Sequence, residues 1–305
     1  MSLNRLFLGN PGTGKTTTAA IYGRILKGLG MLSDGAVELK QPSDFTGSAV
    51  GETSEKTAAL IENCRGKVLV IDEAYGLNQG GSGGPGSSGS GFGYGKEALD
   101  TLVGKVNNAA GDDIAVIMCG YEEEMKEMLL NQNPGLQRRF PLAAAFRFQD
   151  FTNDELLSIL VNGAMRDSLK MPRDVADVAV AMLAKERVKP NFGNAGAANE
   201  MLNRAKQAMV ARDPRATEIT KADLLMGADA ATIAAMGGTG EENGDGSGVC
   251  DGDGDGDGED DGMSPAMRLI LKDLEKLHQV QNIKDHMLGL SDAITTAEMD
   301  GEDTS

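Results

Sequence analysis

Gly9-Asn10-Pro11-Gly12-Thr13-Gly14-Lys15-Thr16 is the stretch on which the reading of this chain turns. It fits the pattern G-x-x-x-x-G-K-[ST], which cradles phosphate when a strand precedes it and a helix follows. Both neighbours are in place. Residues 5 to 9 (RLFLG) form a short apolar run, and Gly9, Pro11, Gly12 and Gly14 follow too closely for that run to continue as a helix, so it reads as a buried strand. A helical pattern then extends from about Lys15 to Leu29. In such a loop the glycines let backbone N–H groups close around phosphate oxygens, and the helix N-terminus adds its positive end. Lys15 supplies the charge that neutralises the outer phosphates, and Thr16 offers its hydroxyl to magnesium. The candidate nucleotide-binding residues are therefore Gly9, Asn10, Pro11, Gly12, Thr13, Gly14, Lys15, Thr16 and Thr17, with ATP and Mg2+ as the implied ligands.

A second signal lies sixty residues on. Val68-Leu69-Val70-Ile71 is an apolar strand that ends in Asp72 and Glu73. A carboxylate at a strand end is ordinarily a solvated charge or a helix cap. Beside a phosphate loop it acquires a use, because phosphoryl transfer to water needs one carboxylate to hold the metal and another to orient the attacking water. Asp72 is the candidate for the metal, through water, and Glu73 the candidate for the water.

Around these motifs the chain alternates. Short apolar runs at 67 to 72, 114 to 119 and 143 to 148 each follow a helical pattern, which predicts an α/β fold with a parallel sheet covered on both faces. From Thr152 the pattern is helical only, near 153–169, 174–188, 194–212 and 220–232. We therefore expect a three-layer ATPase core over 1–150 and a small helical lid over 151–232. Two stretches cannot pack. Residues 80 to 95 hold nine Gly and four Ser, so 79–95 is expected to be a glycine-rich surface loop. Residues 237 to 262 combine glycine with ten carboxylates and no Lys or Arg, which predicts an extended acidic linker over 233–263. Its repeated Asp-Gly invites a calcium reading. The EF-hand register, however, puts Gly262 or Ser264 where the twelfth-position acid belongs. After the linker, Ser264 and Pro265 open an amphipathic helix over 264–290, with a disordered tail expected at 291–305.

Composition excludes several classes. The net charge of −17 lacks the basic face that coating nucleic acid requires, and most of the excess sits in the acidic linker. Three cysteines, Cys64, Cys119 and Cys250, are too few and too scattered for a disulfide framework or a metal cluster. No stretch reaches the length of a membrane span, and Met1 to Pro11 do not resemble a signal peptide, so a cytoplasmic protein is expected.

GNPGTGKTT, VLVIDEAYGL, GYEEEM, NPGLQRRF and FQDFTNDELLSIL, in that order over about residues 3 to 230, resemble the AAA+ branch that contains the red-type Rubisco activases and the stage V sporulation protein K group. The resemblance implies a P-loop NTPase domain with a helical lid, and a ring whose neighbours share each nucleotide. It also implies an arginine finger acting in trans, and in Asn133-Pro134-Gly135-Leu136-Gln137-Arg138-Arg139-Phe140 the matching residue is Arg139, with Arg138 as the alternative. The expected activity is hydrolysis of ATP to ADP and phosphate, driving the remodelling of a protein partner in a homo- or hetero-oligomer. Neither nucleic acid nor membrane is expected as a partner. Three positions depart from the family pattern. Ala49 stands where a pore-loop aromatic is usual, Gly196 stands where the second sensor arginine is expected, and the first sensor position near Cys119-Gly120-Tyr121 has no Asn. Gly196 and Ala49 motivate a second reading, a nucleotide-gated scaffold that binds ATP and hydrolyses it little. Leu274 to Leu290 resembles the leader that precedes the first strand in this family, as though a further AAA+ module followed; the alternative is an independent C-terminal helix that packs on the lid.

Overall fold

The computed structural model describes residues 2–47, 51–81, 93–106 and 112–226, together with Asp285 and Gly289, both helical. Ala49, Cys250, the acidic linker, residues 82–92 of the glycine-rich stretch and nearly all of the C-terminal amphipathic segment lie outside the described residues. The chain divides into two compact units, with the boundary between Asp150 and Phe151.

In the first unit five strands, β1 (Arg5–Gly9), β2 (Val37–Lys40), β3 (Val68–Ile71), β4 (Ala115–Gly120) and β5 (Phe146–Phe148), form one sheet in the order β2-β3-β4-β1-β5. Every pairing is parallel, with Leu8 opposite Gly120 and Ile71 opposite Met118. Parallel neighbours need long crossovers. The helices supply them: α1 (Lys15–Gly28) follows β1, α2 (Pro42–Phe45) and α3 (Glu52–Asn63) follow β2, α4 (Tyr94–Lys105) precedes β4, and α5 (Glu122–Asn131) and α6 (Pro134–Arg139) precede β5. Strands β3 and β4 are buried along their whole length, which explains why they read as unbroken apolar runs. On one face Leu6, Leu8, Leu69, Ile71, Val116 and Met118 pack with Ile61, Leu99, Met125 and Leu136 of the helices. Their alternates Phe7, Val68, Val70 and Ile117 are equally buried. Helix α1, with Ile21, Tyr22 and Ile25 fully or nearly fully enclosed, packs on β2, β3 and β4.

The structure corrects the expected elements at three places. Strand β2 is additional: Val-Glu-Leu-Lys alternates over only four residues, and as an edge strand it keeps Glu38 in an ion pair with Lys67 at 2.8 Å and leaves Leu39 46% exposed. Strand β5 starts at Phe146, because Leu142–Ala144 turn as a 3-10 helix. The stretch expected as a loop over 79–95 is regular at both ends, since a 3-10 helix spans Ala74–Gly81 and α4 begins at Tyr94.

The second unit is helical: α7 (Asn153–Arg166), α8 (Arg173–Glu186), α9 (Ala195–Arg212) and α10 (Lys221–Leu225). Leu156, Leu160, Val175, Leu183, Met201, Leu202 and Ile219 form its core. Two helix starts are fixed by reciprocal caps, Thr152 with Glu155 and Thr220 with Asp223. Each cap is worth about 1 kcal/mol, because it satisfies N–H groups that the first turn leaves without partners. Among the described residues no helix is long and apolar enough to cross a membrane.

Candidate active site

Parallel strands send all their C-terminal loops to one edge of a sheet, and open α/β sheets use that edge for ligands. Here it carries the loop after β1, the carboxylates after β3 and the Cys119–Tyr121 turn at the end of β4. The loop after β1 turns through glycines at positive φ: Gly9 at 151°, Gly12 at 71° and Gly14 at 92°. Gly14 is the N-cap of α1 and supplies no side-chain acceptor, and the first turn holds no acidic residue. The N–H groups at the start of this 14-residue helix therefore point from a positive helix end with no side chain of their own to cap them. Lys15 Nζ donates to the carbonyls of Gly9 at 2.9 Å and Asn10 at 2.7 Å, which folds the ammonium over the loop. The Thr13 hydroxyl donates to Asn10 O at 2.8 Å, and Asn10 Nδ2 donates to Asp150 Oδ1 at 2.8 Å. Thr16 and Thr17 are exposed.

Asp72 and Glu73 follow β3. The carbonyl of Lys40 accepts from Asp72 N at 2.9 Å, and Asp72 Oδ1 accepts from Glu73 N at 3.1 Å. Glu73 adopts a left-handed backbone, φ 49°, which for a glutamate stores strain of about 1 kcal/mol or more. Burial lowers the Lys15 pKa, and Cys119, Asp72 and Glu73 act against that in turn. The carboxylates are thus close enough to bear on the ammonium. The Cys119 thiol is pushed up to about 12, first by burial and then by Asp72, so it is a neutral wall of the site.

These groups fit a nucleotide. The donor set of backbone N–H groups, one ammonium and two threonine hydroxyls suits a polyphosphate, and a Cβ added at Gly14 would meet nothing within 4 Å, so the loop is open there. Among the described residues no group of three or more His, Cys, Asp or Glu could hold a metal alone. Magnesium is usually held by one or two protein ligands together with substrate phosphates and water, and Thr16 and Asp72 are the candidates for it here.

A family model for the AAA ATPases, those associated with various cellular activities, matches residues 5–141, and an AAA lid model matches 152–235. The chain is 32% identical over 231 residues to the chloroplastic ribulose bisphosphate carboxylase/oxygenase activase of Cyanidioschyzon merolae, covering 74% of this chain and 71% of that protein. The chain belongs to the AAA ATPase family. It is also 39% identical over 158 residues to stage V sporulation protein K of Bacillus subtilis, an alignment spanning 52% of this chain and only 45% of that protein. In fold the chain resembles the crystal structure of the FIGL-1 AAA domain in complex with ADP, at TM-score 0.50 and 17% identity, over 77% of this chain and 76% of that one.

Within the AAA domain, Arg139 ends α6, and its Nε and Nη1 donate to the carbonyls of Val106 and Gly135. Arg138 beside it is exposed. In the lid, Gly196 is the exposed second residue of α9, and an added Cβ would meet no atom within 4 Å. Sequence reasoning missed a pair of aromatics beside the carboxylates. The rings of Tyr75 and Tyr121 lie 5.9 Å apart, and burial followed by Glu73 pushes the Tyr75 hydroxyl up to about 12. The DEAYGL and GY segments name both residues, but nothing local to either predicts that they meet.

Proposed function

We propose that this AAA ATPase binds ATP at the Gly9–Thr17 loop and hydrolyses it to ADP and phosphate, driving the remodelling of a protein partner within an oligomer. The observation that carries the reading is the open, acid-free start of α1 with Lys15 folded over it and electrostatically coupled to Asp72 and Glu73. In this reading the loop N–H groups and Lys15 hold the phosphates, and Thr16 and, through water, Asp72 would hold Mg2+, which would offset charge on the phosphate oxygens. Glu73 orients the attacking water and accepts its proton. Arg139 from a neighbouring copy supplies the cation for charge developing in the transition state. The family resemblance and the activase among the relatives support remodelling as the use of this chemistry. A second reading, a scaffold gated by nucleotide with little turnover, draws on two observations: Arg139 is engaged by carbonyls of its own chain, and Gly196 has no side chain.

One set of measurements on the full chain separates these readings. Removing the Lys15 charge with Lys15→Ala should weaken ATP binding about 10- to 100-fold, the value of a charged hydrogen bond. Glu73→Gln should retain binding and lower turnover by about 100-fold or more, the contribution of a positioned base. Undiminished affinity in the Lys15 variant sinks the cradle. Tight binding with negligible turnover in the unaltered protein, at concentrations that permit assembly, selects the scaffold.

A further inference from the structure

Glu73 is placed by its backbone. Among the described residues its carboxylate takes part in no hydrogen bond and no ion pair. Its φ of 49° is a left-handed conformation that a glutamate keeps only where the residues on either side over-determine it. Before it, Asp72 is still tied to the sheet, since its N–H donates to the carbonyl of Lys40 at 2.9 Å. After it the chain reverses into the 3-10 helix Ala74–Gly81, opened by a bond from Gly76 N to Glu73 O at 2.8 Å. Ala74 and Leu77 of that helix are buried in the core, and the half-buried Tyr75 packs against it. The ring of Tyr75 takes up space that a missing side chain leaves. A Cβ added at Gly120 would lie 2.9 Å from Tyr75 Cδ1 and 2.8 Å from Met125 Cγ. Gly120 ends β4 without a positive φ, so glycine is needed there for room and not for conformation. Tyr121 faces the same ring from the N-cap of α5, with 5.9 Å between centroids. Tyr75 is thus wedged between the bare end of β4 and Tyr121, two positions after Glu73. Its hydroxyl, raised to about 12 by burial first and Glu73 second, stays protonated at neutral pH and brings no charge to the site.

We propose that Tyr75 is a positioning residue for ATP hydrolysis: its ring, seated over Gly120, holds Glu73 in the left-handed conformation that fixes where the carboxylate stands. The inference rests on the reading of Glu73 as the group that orients the attacking water. Without the wedge, the strain at Glu73 relaxes to a negative φ, which swings the Cα–Cβ bond and carries the carboxylate with it. No contact of the carboxylate with another described residue resists that move. A displacement of about 1 Å is enough to cost about 100-fold in rate. The Gly9–Thr17 loop hangs from β1 and keeps its own hydrogen bonds, so nucleotide affinity should not follow the rate.

Turnover of the full chain with ATP and Mg2+, at concentrations that permit assembly, tests this together with affinity for a non-hydrolysable ATP analogue. Tyr75→Ala should lower kcat about 10- to 100-fold while analogue affinity stays within about threefold of the unaltered value. Gly120→Ala pushes the ring out with Tyr75 still in the chain, so it should give the same split, and it carries the test alone if Tyr75→Ala does not fold. Tyr75→Phe keeps the ring and should keep kcat within about twofold. A double-mutant cycle then separates positioning from a merely structural role. Residues that act through one group are not additive, so adding Tyr75→Ala to Glu73→Gln should lower turnover by no more than about a further twofold. Full kcat in Tyr75→Ala, an equal loss in Tyr75→Phe, or losses that multiply in the double variant would overturn the proposal and leave the reading of Glu73 intact. Negligible turnover in the unaltered protein, or undiminished turnover in Glu73→Gln, overturns both.

Discussion

Arg139 of α6 donates from its guanidinium to the backbone carbonyl of Val106, the residue that closes α4. With its second bond, to Gly135 O at 3.1 Å, it ties the end of α4 to α6. Arg138 makes the opposite choice and faces solvent. The two arginines should therefore separate when they are replaced. Arg139→Ala should destabilise the first unit by about 1–2 kcal/mol, the value of hydrogen bonds from a charged donor discounted for partial exposure, whereas Arg138→Ala should stay within about 0.5 kcal/mol. Urea denaturation of each variant measures this. Turnover at high and low protein concentration then shows which arginine serves a neighbouring copy. A turnover loss confined to Arg138→Ala would reassign the finger.

Gly9 combines a φ of 151° with the near contact to Phe148 O, so a methyl group there has nowhere to go except by separating β1 from β5. Gly9→Ala should cost about 1–3 kcal/mol, the range for forced overpacking. Gly196→Ala is the control, since the position is open and helical, and it should be neutral or stabilising by up to about 1 kcal/mol. Thermal melting of both variants decides the matter, and equal midpoints would contradict the close packing of β1 on β5.

Asp223 ties α10 to α9. Its side chain is fully buried, it accepts from Arg212 Nε at 2.9 Å and Nη2 at 3.0 Å, and it caps its own helix through Thr220. The Arg212 hydrogen bond is the first cause that holds its carboxyl below the usual aspartate range. A pKa lower in the folded state means that the unfolded chain binds the proton more readily. The stabilisation is therefore fully present above the unfolded value, about 4, and is lost as pH falls through that value towards the folded one. The urea midpoint of the helical unit should drop between about pH 5 and pH 3, and Asp223→Asn should be less stable at neutral pH with a flatter profile over that window. An Asn variant with the same pH profile as the parent would remove Asp223 from the acid response.

Contiguous chemistry was what the sequence determined. The loop from Gly9 to Thr16 and the pair Asp72-Glu73 each draw their meaning from neighbours a few positions away, and a parallel sheet with covered faces forces β3 and β4 to be apolar without interruption. The alternation of such runs with helices sufficed for the α/β class and for the helical segment that follows. Other features needed three dimensions. Strand β2 is short and charged because it lies at an edge, and four alternating residues are too weak a pattern to separate it from a loop. The Asn10–Asp150 bond, the Tyr75–Tyr121 pair and the hold of Arg139 on Val106 each join parts of the chain that only the strand order β2-β3-β4-β1-β5 or the packing of helices on it brings together. Local sequence sets which groups are offered. Which of them meet depends on the register of distant strands, and that is set by burial summed over the whole core.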